Sequence, residues 1–560
     1  NILIKDIICD RDEIWIATEG NGIFHSDLSF SSIEHFTAGH SGLMSNYVRS
    51  LCHDTQGRLW IGTNAGLQIY DRGSFTSYVH ERTNPFSISD NSIRTIYRDH
   101  QGGMWVGTYN DALNWWHPYQ YEFSYMYPSY LNPEITGDKI SCITGDSEGF
   151  LWMGIGWDGV MKYNPSTKES SYYLILSNGD REANIKSIWC DDEYGKVYFA
   201  SQFGGLNILD RSTGRVSSKD DIPSDVFDIA QKDKGTLFLC TSSGLYLIDR
   251  KSGKVKHEDR YKGHRNIKSI HKDSEGKLWI GGSYGMQVYT DDSSFIEAEI
   301  DFLDKVSRVT SFHESDSGDI YIVTEYGLYC YNQQKKEFLF FNTENGLPNN
   351  VVKCIVEDKN GMIWIGTDNG LCRYNPFSST FKSYGSKEGL ICSRFSDSAY
   401  ILENGTLFFG TFEGLISFNP ANMLENPFCP QPQIMTIVVS GEEVFPEEGC
   451  IAMDWRNNSL TVKLSAMNYL SEGRDSFAYR LKGYDEEWHN ITASNTLTYP
   501  KLPHGRYTLE VMAANNEGIW NEGAVSLEII VRPIWTQTVW AKIAAVLVVL
   551  SFFILGAYLV

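Results

Sequence analysis

The 560-residue sequence predicts an all-β chain with one apolar helix at its end. Three observations predict this fold class. A pattern containing Trp-Ile-Gly-Thr recurs every 40 to 47 residues, short alternating strands fill residues 431–531, and an uncharged apolar run occupies 543–560. Aromatic residues make up 14% of the chain, which favours strands. Together these segments predict a β-propeller region, a β-sandwich and a transmembrane helix.

The repeat has ten copies, and each is built around one aromatic anchor. From copy one to copy ten the anchors are Trp15, Trp60, Trp105, Trp152, Tyr198, Phe238, Trp279, Tyr321, Trp364 and Phe408. Each copy reads as a Val/Ile-x-x-Ile strand, an Asp-x-x-Gly turn, the anchor strand, a Gly-Leu-x-x-Tyr strand and a strand with an aromatic pair. Four strands in a repeat of this length make one propeller blade. The anchors are predicted to pack one blade against the next.

Copies two and nine, at 48–70 and 352–374, carry the pattern most completely. The pattern resembles the regulator-propeller repeat of bacterial two-component sensors, in which two seven-bladed propellers stand in tandem. The aromatic-rich segment 114–128 resembles the junction between those propellers. The resemblance therefore implies a seven-bladed propeller at 119–427, preceded at 1–118 by the last blades of a truncated propeller. About four more blades and a signal peptide are expected upstream.

Residues 428–533 are predicted to form an immunoglobulin-like β-sandwich. The segments 479–488, 499–507 and 516–520 resemble the triple-tyrosine domain that follows these propellers in the family, and their tyrosines and tryptophans are expected to be packing residues and not ligand contacts. Residues 536–560 are predicted to be a truncated transmembrane helix, with tryptophans at its interfacial end. The alternative for this run is a core helix of a soluble domain.

The net charge, the cysteine spacing and the motifs argue against several classes of function. A net charge of −22 disfavours a general nucleic-acid surface, because such a surface needs basic residues to displace phosphate counterions. The 11 cysteines form no Cys-x-x-Cys pair and mostly lie in strand-like runs, so buried thiols are predicted. No nucleophile elbow, phosphate loop, dinucleotide fingerprint or metalloprotease motif occurs. This region is expected to be no enzyme, with no catalytic residue, cofactor or metal.

The loops between the second and third strands are predicted to carry a ligand site. Several hold an aromatic residue beside an amide or a carboxylate, which suits a sugar: a ring covers its C–H face and polar groups bind its hydroxyls. The alternative is that these are ordinary solvated loop residues. The candidates are Tyr109, Asn110, Asp111, Trp157, Asp158, Gln202, Phe203 and Tyr284.

A second candidate feature is basic. The residue after the first Val or Ile of strand one is Arg49, Arg94, Lys186, Lys268 and Lys353 in five copies. Strand one lines the channel of a propeller, so these charges are placed to bind an acidic group such as a uronate or a sulfate. Arg94 and Lys186 are included in the predicted ligand site. The alternative is that the basic side chains pair with carboxylates on the rim.

The resemblance implies the periplasmic sensor region of a hybrid two-component system like those of gut Bacteroidetes, anchored in the inner membrane. Such a region would bind an oligosaccharide, neutral or acidic, as a homodimer, and would signal to a cytoplasmic histidine kinase outside this sequence. One alternative is a propeller that serves as a protein-docking platform. Another is a propeller polysaccharide lyase or hydrolase, which the absence of a repeat-breaking acidic pair opposes.

Overall fold

A computed structural model gives the structure of the chain. It describes all residues except 1, 11, 82–86, 111, 122, 175–182, 220, 301–305, 448, 472–475, 492–493, 516, 535–538 and 560. The chain divides into two compact units, Asn1–Gln120 with Leu424–Val560, and Tyr121–Met423. The all-β prediction is confirmed, because almost every described element is a strand.

The described part of residues 1–120 contains three antiparallel sheets, one for each of copies one to three. Sheet one has β1 (Ile4–Asp10), β2 (Glu13–Thr18), β3 (Ile23–Asp27) and β4 (Ile33–Phe36). Sheet two has β5 (Val48–His53), β6 (Leu59–Thr63), β7 (Leu67–Asp71) and β8 (Ser74–Tyr78), and sheet three has β9 (Ile93–Arg98), β10 (Met104–Thr108) and β11 (Leu113–Trp116). The first strands of neighbouring sheets contact each other, as those of successive propeller blades do.

The described part of Tyr121–Met423 contains seven antiparallel sheets, which are called blades 4 to 10 after their repeat copies. Blade 10 includes a strand from the start of the unit, β12 (Ser124–Met126). Blades 4 to 6 consist of β13 (Ile140–Gly145), β14 (Leu151–Ile155), β15 (Gly159–Tyr163), β16 (Ser170–Tyr173), β17 (Asn184–Asp191), β18 (Lys196–Gln202), β19 (Gly205–Asp210), β20 (Arg215–Lys219), β21 (Val226–Asp233), β22 (Thr236–Thr241), β23 (Gly244–Asp249) and β24 (Val255–His257).

The remaining blades follow in order along the chain. Blades 7 and 8 consist of β25 (Ile267–Lys272), β26 (Leu278–Gly282), β27 (Gly285–Tyr289), β28 (Val309–Glu314), β29 (Ile320–Thr324), β30 (Gly327–Asn332) and β31 (Glu337–Phe341). Blades 9 and 10 consist of β32 (Val352–Glu357), β33 (Ile363–Thr367), β34 (Gly370–Asn375), β35 (Thr380–Tyr384), β36 (Phe395–Ile401), β37 (Leu407–Thr411) and β38 (Gly414–Phe418), with β12.

The seven sheets close into a ring. The first strand of each blade contacts the first strand of the next, and β36 of blade 10 contacts β13 of blade 4. At this closure the Ile143 N–H donates a hydrogen bond to Ser398 Oγ (2.6 Å). On the outside, β12 pairs antiparallel with β38, with Met126 opposite Leu415. The first strands are therefore innermost and line a central channel.

The aromatic anchors lie in the core, as predicted. Nine of the ten are buried, and Trp105 is partly exposed. Trp364, for example, is 0% exposed and contacts Tyr384 and Phe418 at ring-centroid distances of 5.2 and 4.9 Å. The glycine that opens the third strand is required sterically in some blades: Gly327 has φ +149°, and a Cβ there would lie 2.5 Å from the Phe341 carbonyl oxygen.

Within 424–534, the residues that the structure describes form two packed sheets. The strands are β39 (Gln433–Val439), β40 (Glu442–Val444), β41 (Cys450–Asp454), β42 (Leu460–Ser465), β43 (Ser476–Lys482), β44 (His489–Ile491), β45 (Thr496–Tyr499), β46 (Gly505–Ala514) and β47 (Val525–Arg532). One sheet has the order β40-β39-β42-β45 and the other β41-β47-β46-β43-β44. Their inward residues share one hydrophobic core. Tyr499 and Tyr507 are buried in this core, and the Tyr499 hydroxyl donates to Asp485. Tyr484 meets both of their rings edge-on but is itself 49% exposed, so it packs against the core from the surface.

The described helices are few: α1 (Pro128–Leu131), α2 (Val539–Leu559) and short 3₁₀ turns at Ser386–Glu388, Pro420–Asn422 and Tyr469–Ser471. The sequence predicts a membrane span at 536–560. Among the described residues, however, the structure has no helix with both the length and the apolar character needed to cross a membrane, so the predicted span is not confirmed. All eleven cysteines are free thiols, and six are buried, as the sequence predicts.

Candidate functional site

A cavity of about 750 Å³ opens at the channel of Tyr121–Met423. Its lining is mainly polar and comes from the beginnings of the innermost strands and from loops that join second to third strands. Every blade of the ring contributes at least one residue: Cys142, Lys186, Asp228, Lys268, Thr310, Lys353 and Asp397. A concave site with a few convergent polar groups is the usual form of a small-ligand site.

The basic side chains reach the cavity because the innermost strands are bulged. The pairing of β17 with β18 skips Lys186, that of β25 with β26 skips Lys268, and that of β32 with β33 skips Lys353. A β-bulge leaves one residue unpaired and changes the direction of its side chain. The structure thus places these three lysines at the channel, where the sequence analysis expects them.

Arg49 and Arg94 occupy the same bulge position in residues 1–120. Both guanidinium groups lie near the Tyr109 ring, at 5.9 and 5.5 Å from its centroid. Tyr109 is 60% exposed, and the Asn110 side-chain amide donates to Asp90 Oδ2 (3.0 Å). Asp111 lies outside the described residues. These predicted site residues belong to the first unit, whereas the cavity lies wholly within Tyr121–Met423.

The cations around the cavity differ in how they are neutralised. Lys353 Nζ lies 3.7 Å from an Asp397 carboxylate oxygen, and an Arg308 guanidinium nitrogen lies 2.8 Å from a Glu325 oxygen. Among the described residues, no carboxylate lies within 4 Å of the ammonium groups of Lys186 and Lys268. The predicted alternative, pairing on the rim, therefore applies to Lys353 but not to these two lysines.

Lys268 is half-buried and lies against an aromatic ring. Its Nζ lies 3.2 Å from the centroid of the Phe227 ring, which occupies the bulge position of the neighbouring blade. Burial, together with the nearby charge of Lys186, lowers the pKa of Lys268 to about 8, while Asp225 and Asp397 oppose this shift. Lys268 is therefore still mainly protonated at neutral pH.

Asp228 is a structural carboxylate in the cavity wall. It accepts hydrogen bonds from the Ser187 hydroxyl (3.1 Å), the Ile229 N–H (2.8 Å) and the Ile270 N–H of the next blade (3.3 Å). Burial outweighs these bonds and raises the pKa of Asp228 to about 6. Its oxygens are occupied by the protein, so it connects blades 6 and 7 and is not an open acceptor.

Two aromatic side chains form an exposed platform at the same end of the ring. The Trp157 and Phe203 rings are nearly parallel (11°), their centroids are 6.0 Å apart, and the residues are 47% and 50% exposed. Phe203 follows Gln202, which lines the cavity. It has φ +71°, an uncommon value for an aromatic residue, and its N–H donates to Asp225 Oδ1 (3.2 Å). A flat, exposed aromatic surface suits the C–H face of a sugar.

Asp158 differs from its predicted role beside Trp157. Its carboxylate is buried and accepts hydrogen bonds from the N–H groups of Thr136 (3.0 Å) and Gly137 (2.9 Å) and from the Thr136 hydroxyl (2.9 Å). It therefore orders the loop that carries Trp157, and its oxygens are not open to a ligand. Tyr284, by contrast, is 70% exposed at the edge of the cavity.

Sequence reasoning missed several charged residues of this end. Lys139 and Arg394 lie on the Phe412 ring, at 4.4 and 4.3 Å from its centroid, and Arg308 and Asp397 line the cavity. Lys139, Arg308 and Arg394 directly precede the innermost strands of their blades, and Asp397 lies within β36, where residues 396–398 interrupt the pairing with β37. None of the four is a basic residue that follows the first Val or Ile of a strand, so the repeat pattern contains no signal that would have found them.

Comparison with known proteins agrees with this architecture. Residues 42–65, 87–110 and 346–369 match the family described as two component regulator propeller, and residues 468–532 match the Y_Y_Y domain. The extracellular domain of a hybrid two component system from B. thetaiotaomicron is a structural neighbour with a TM-score of 0.71, 24% identity and coverage of 94% of this chain and 77% of that one. A second such domain from the same organism has a TM-score of 0.46 and 21% identity, with coverage of 96% and 76%.

Among curated proteins, Histidine kinase P4 of Formosa agariphila is 23% identical over an alignment of 448 positions that covers 72% of this chain. The match spans 32% of that relative's length. The fold therefore defines a class, a β-propeller chain with an attached β-sandwich. Within that class, the chain carries two-component regulator propeller repeats and a Y_Y_Y domain, and its predicted resemblance to sensor regions of hybrid two-component systems is confirmed.

Proposed function

We propose that this chain is the extracytoplasmic sensor region of a two-component receptor and that it binds an oligosaccharide at the channel of Tyr121–Met423. The observation that carries this proposal is the polar cavity of about 750 Å³, next to the exposed and nearly parallel rings of Trp157 and Phe203. Similarity to the extracellular domain of a hybrid two component system and to a histidine kinase supports the receptor assignment.

In this proposal the ring of seven sheets is a complete seven-bladed propeller at 119–427, and residues 1–118 are the last blades of another. Residues 428–533 are an immunoglobulin-like sandwich that passes the signal towards a histidine kinase in the cytoplasm. The chain works as a homodimer in the periplasm, held at the inner membrane. Ligand binding shifts an equilibrium between two arrangements of the receptor by the difference in ligand affinity between them.

A binding role fits the site better than catalysis. The Asp228 carboxylate in the cavity already accepts three hydrogen bonds from the protein, and Asp397 is paired with Lys353. These contacts oppose the use of the two carboxylates as an acid–base pair in a hydrolase. An oligosaccharide that binds is therefore expected to keep its chain length on prolonged incubation with the protein.

The test is a glycan array probed with the purified chain, followed by calorimetric titration of each hit and by chromatography of the glycan after incubation. We expect saturable binding of at least one oligosaccharide, with no change in its length. Depolymerisation that a single carboxylate substitution abolishes would establish the lyase or hydrolase alternative. Binding of proteins but of no glycan would favour the docking platform.

A further inference from the structure

We propose that the channel binds one anionic group of the ligand, a carboxylate or a sulfate ester, between Lys186 and Lys268. The saccharide nature of the ligand rests on the proposed function. The anion site itself rests on the geometry and charge of the channel.

The two lysines stand at equivalent points of the ring. Each occupies the bulge position of an innermost strand, β17 for Lys186 and β25 for Lys268, and both line the same cavity. Between their blades lies blade 6, which has Phe227 at its bulge position, and the Lys268 ammonium group lies against that ring (3.2 Å to the centroid). The ring limits how far this ammonium group can move away from the cavity.

Each carboxylate that faces Lys268 has another bonding partner in the protein, and the remaining charged group that faces it is Lys186. Asp225 accepts the N–H of the platform residue Phe203, and Asp397 is paired with Lys353. Asp228 accepts three hydrogen bonds from the protein. Among the described residues, Lys186 and Lys268 have no ion-pair partner within 4 Å.

Two like charges that face one cavity repel each other, and burial removes part of their hydration. The pKa of Lys268 is lowered in agreement with this, first by burial and then by the charge of Lys186. An anion placed between the two ammonium groups would remove the repulsion and form charge-assisted hydrogen bonds. The cavity therefore favours an anionic ligand, although the chain as a whole carries a net charge of −22.

The experiment titrates the purified chain with two kinds of probe at constant ionic strength. Sodium sulfate, with sodium chloride as the control, tests the anion site alone. Trigalacturonate with its methyl ester, and a sulfated galactan oligosaccharide with its desulfated form, separate a carboxylate from a sulfate ester. The variants are Lys186→Gln, Lys268→Gln and Lys268→Arg, and Lys272→Gln is the matched control, because Lys272 lies on the same strand and pairs with Asp292.

We expect each glutamine variant to weaken anion binding by about tenfold. Lys268→Arg and Lys272→Gln should bind within about twofold of the wild type, since the first keeps the charge and the second lies at the other end of β25. Circular dichroism checks the fold of each variant. If Lys268→Gln does not fold, Lys186→Gln and Lys268→Arg still decide the question.

The pH dependence gives a second readout. Binding of sulfate by the wild type should weaken as the pH rises from 7 to 9, because Lys268 loses its proton near pH 8. The Lys268→Arg variant should show no such loss, because a guanidinium group stays charged in this range.

The outcomes separate this inference from the proposed function. Lysine-dependent binding of sulfate without binding of any glycan would support the anion site and contradict the glycan sensor. Glycan binding that is equally strong for the acidic and the neutral probes, and unchanged in both glutamine variants, would overturn the anion site and leave the sensor. An absence of lysine-dependent binding by every anionic probe would also overturn it.

Discussion

At the scale of single residues, the Asp-x-x-Gly turn has a purpose that its sequence does not reveal. The aspartate stands six residues before the tryptophan anchor and accepts a hydrogen bond from its indole N–H. The pairs are Trp60–Asp54 (3.0 Å), Trp105–Asp99 (2.8 Å), Trp152–Asp146 (2.8 Å), Trp279–Asp273 (2.8 Å) and Trp364–Asp358 (2.7 Å). In copy one this position is Cys9, and the Trp15 indole N–H has no partner among the described residues. The carboxylate therefore serves both the turn and the anchor.

This pairing predicts unequal costs for the same substitution. We expect Trp60→Phe to lower the free energy of unfolding by about 2 kcal/mol more than Trp15→Phe, because only the first loses a buried hydrogen bond to a carboxylate. Both residues are core anchors of adjacent sheets, so the loss of apolar area is similar. Urea unfolding followed by circular dichroism measures the difference. Equal costs would show that the bond adds no net stability.

Asp228 predicts a pH dependence of stability. Its folded pKa, about 6, lies above its ordinary value of 3.8, so the folded state binds more protons between these values. The stabilisation from this group is therefore complete below about pH 4 and is lost as the pH rises through 6. Relative to the variant Asp228→Asn, the wild type should lose about 2 kcal/mol over this window.

Urea unfolding of both proteins between pH 4 and 7 measures this change, and the difference between them isolates Asp228 from other titrating groups. Asp397→Asn is the matched control, because that side chain is 60% exposed. A difference between wild type and Asp228→Asn that stays constant with pH would contradict the assignment.

The sequence predicts the buried anchors because aromatic residues recur once per period, and a core position must recur in every blade. It does not predict the role of Asp158. The carboxylate is visible in the loop, but its partners Thr136 and Gly137 reach it only after the chain folds. The sequence does not reveal whether the side chain of a polar loop residue faces solvent or binds the backbone of a neighbouring segment.

At the scale of elements, the bulge in each innermost strand explains two features together. It turns one side chain into the channel, and it leaves a backbone N–H without a partner in its own sheet. The adjacent blade supplies the missing hydrogen-bond acceptor. The acceptor is the side chain of a residue that lies at or directly after the bulge in that blade's own first strand. The N–H groups of Leu51, Ile96, Ile143 and Ile270 donate to Asp6, Ser50, Ser398 and Asp228, respectively. In these four cases the polar residue at or directly after the bulge is thus a blade-to-blade contact.

The loops that join second to third strands give a prediction for binding. Trp157→Ala should weaken oligosaccharide binding about fivefold to tenfold, because a stacking aromatic adds about 1 kcal/mol or more beyond its buried area. The blade should stay folded, since the side chain is 47% exposed. Phe377→Ala is the control: this ring is 82% exposed in a loop between third and fourth strands. Calorimetric titration of both variants measures the effect, and equal affinities would remove Trp157 from the site.

The period of the repeat predicts four strands in each blade. It does not predict whether every blade has an outermost strand, or which part of the chain supplies it. Among the described residues, blade 7 has three strands, and only an isolated bridge between Tyr289 and Glu297 stands where a fourth strand would pair. Blade 10 takes its outer strand, β12, from the start of the unit. That pairing joins segments nearly 300 residues apart, and a local pattern carries no information about it.

At the scale of the whole molecule, the ring of innermost strands converts a local repeat into a single concave site. Seven blades each place one bulge at the channel, so residues far apart in sequence, such as Lys186 and Lys353, line the same cavity. The sequence predicts this convergence from the periodic position of the basic residues. It does not predict which cations remain without a carboxylate, because the partners of Lys353 and Arg308 lie outside that position.

We infer that a ligand binds at the end of the ring formed by the loops between second and third strands. The most direct test is hydrogen–deuterium exchange of the chain with and without a saturating oligosaccharide from the array. We expect slower exchange at 202–204 and 283–285, with no change in the turns 273–276 and 358–361 at the opposite end. Protection confined to those turns, or none at all in Tyr121–Met423 despite proven binding, would contradict it.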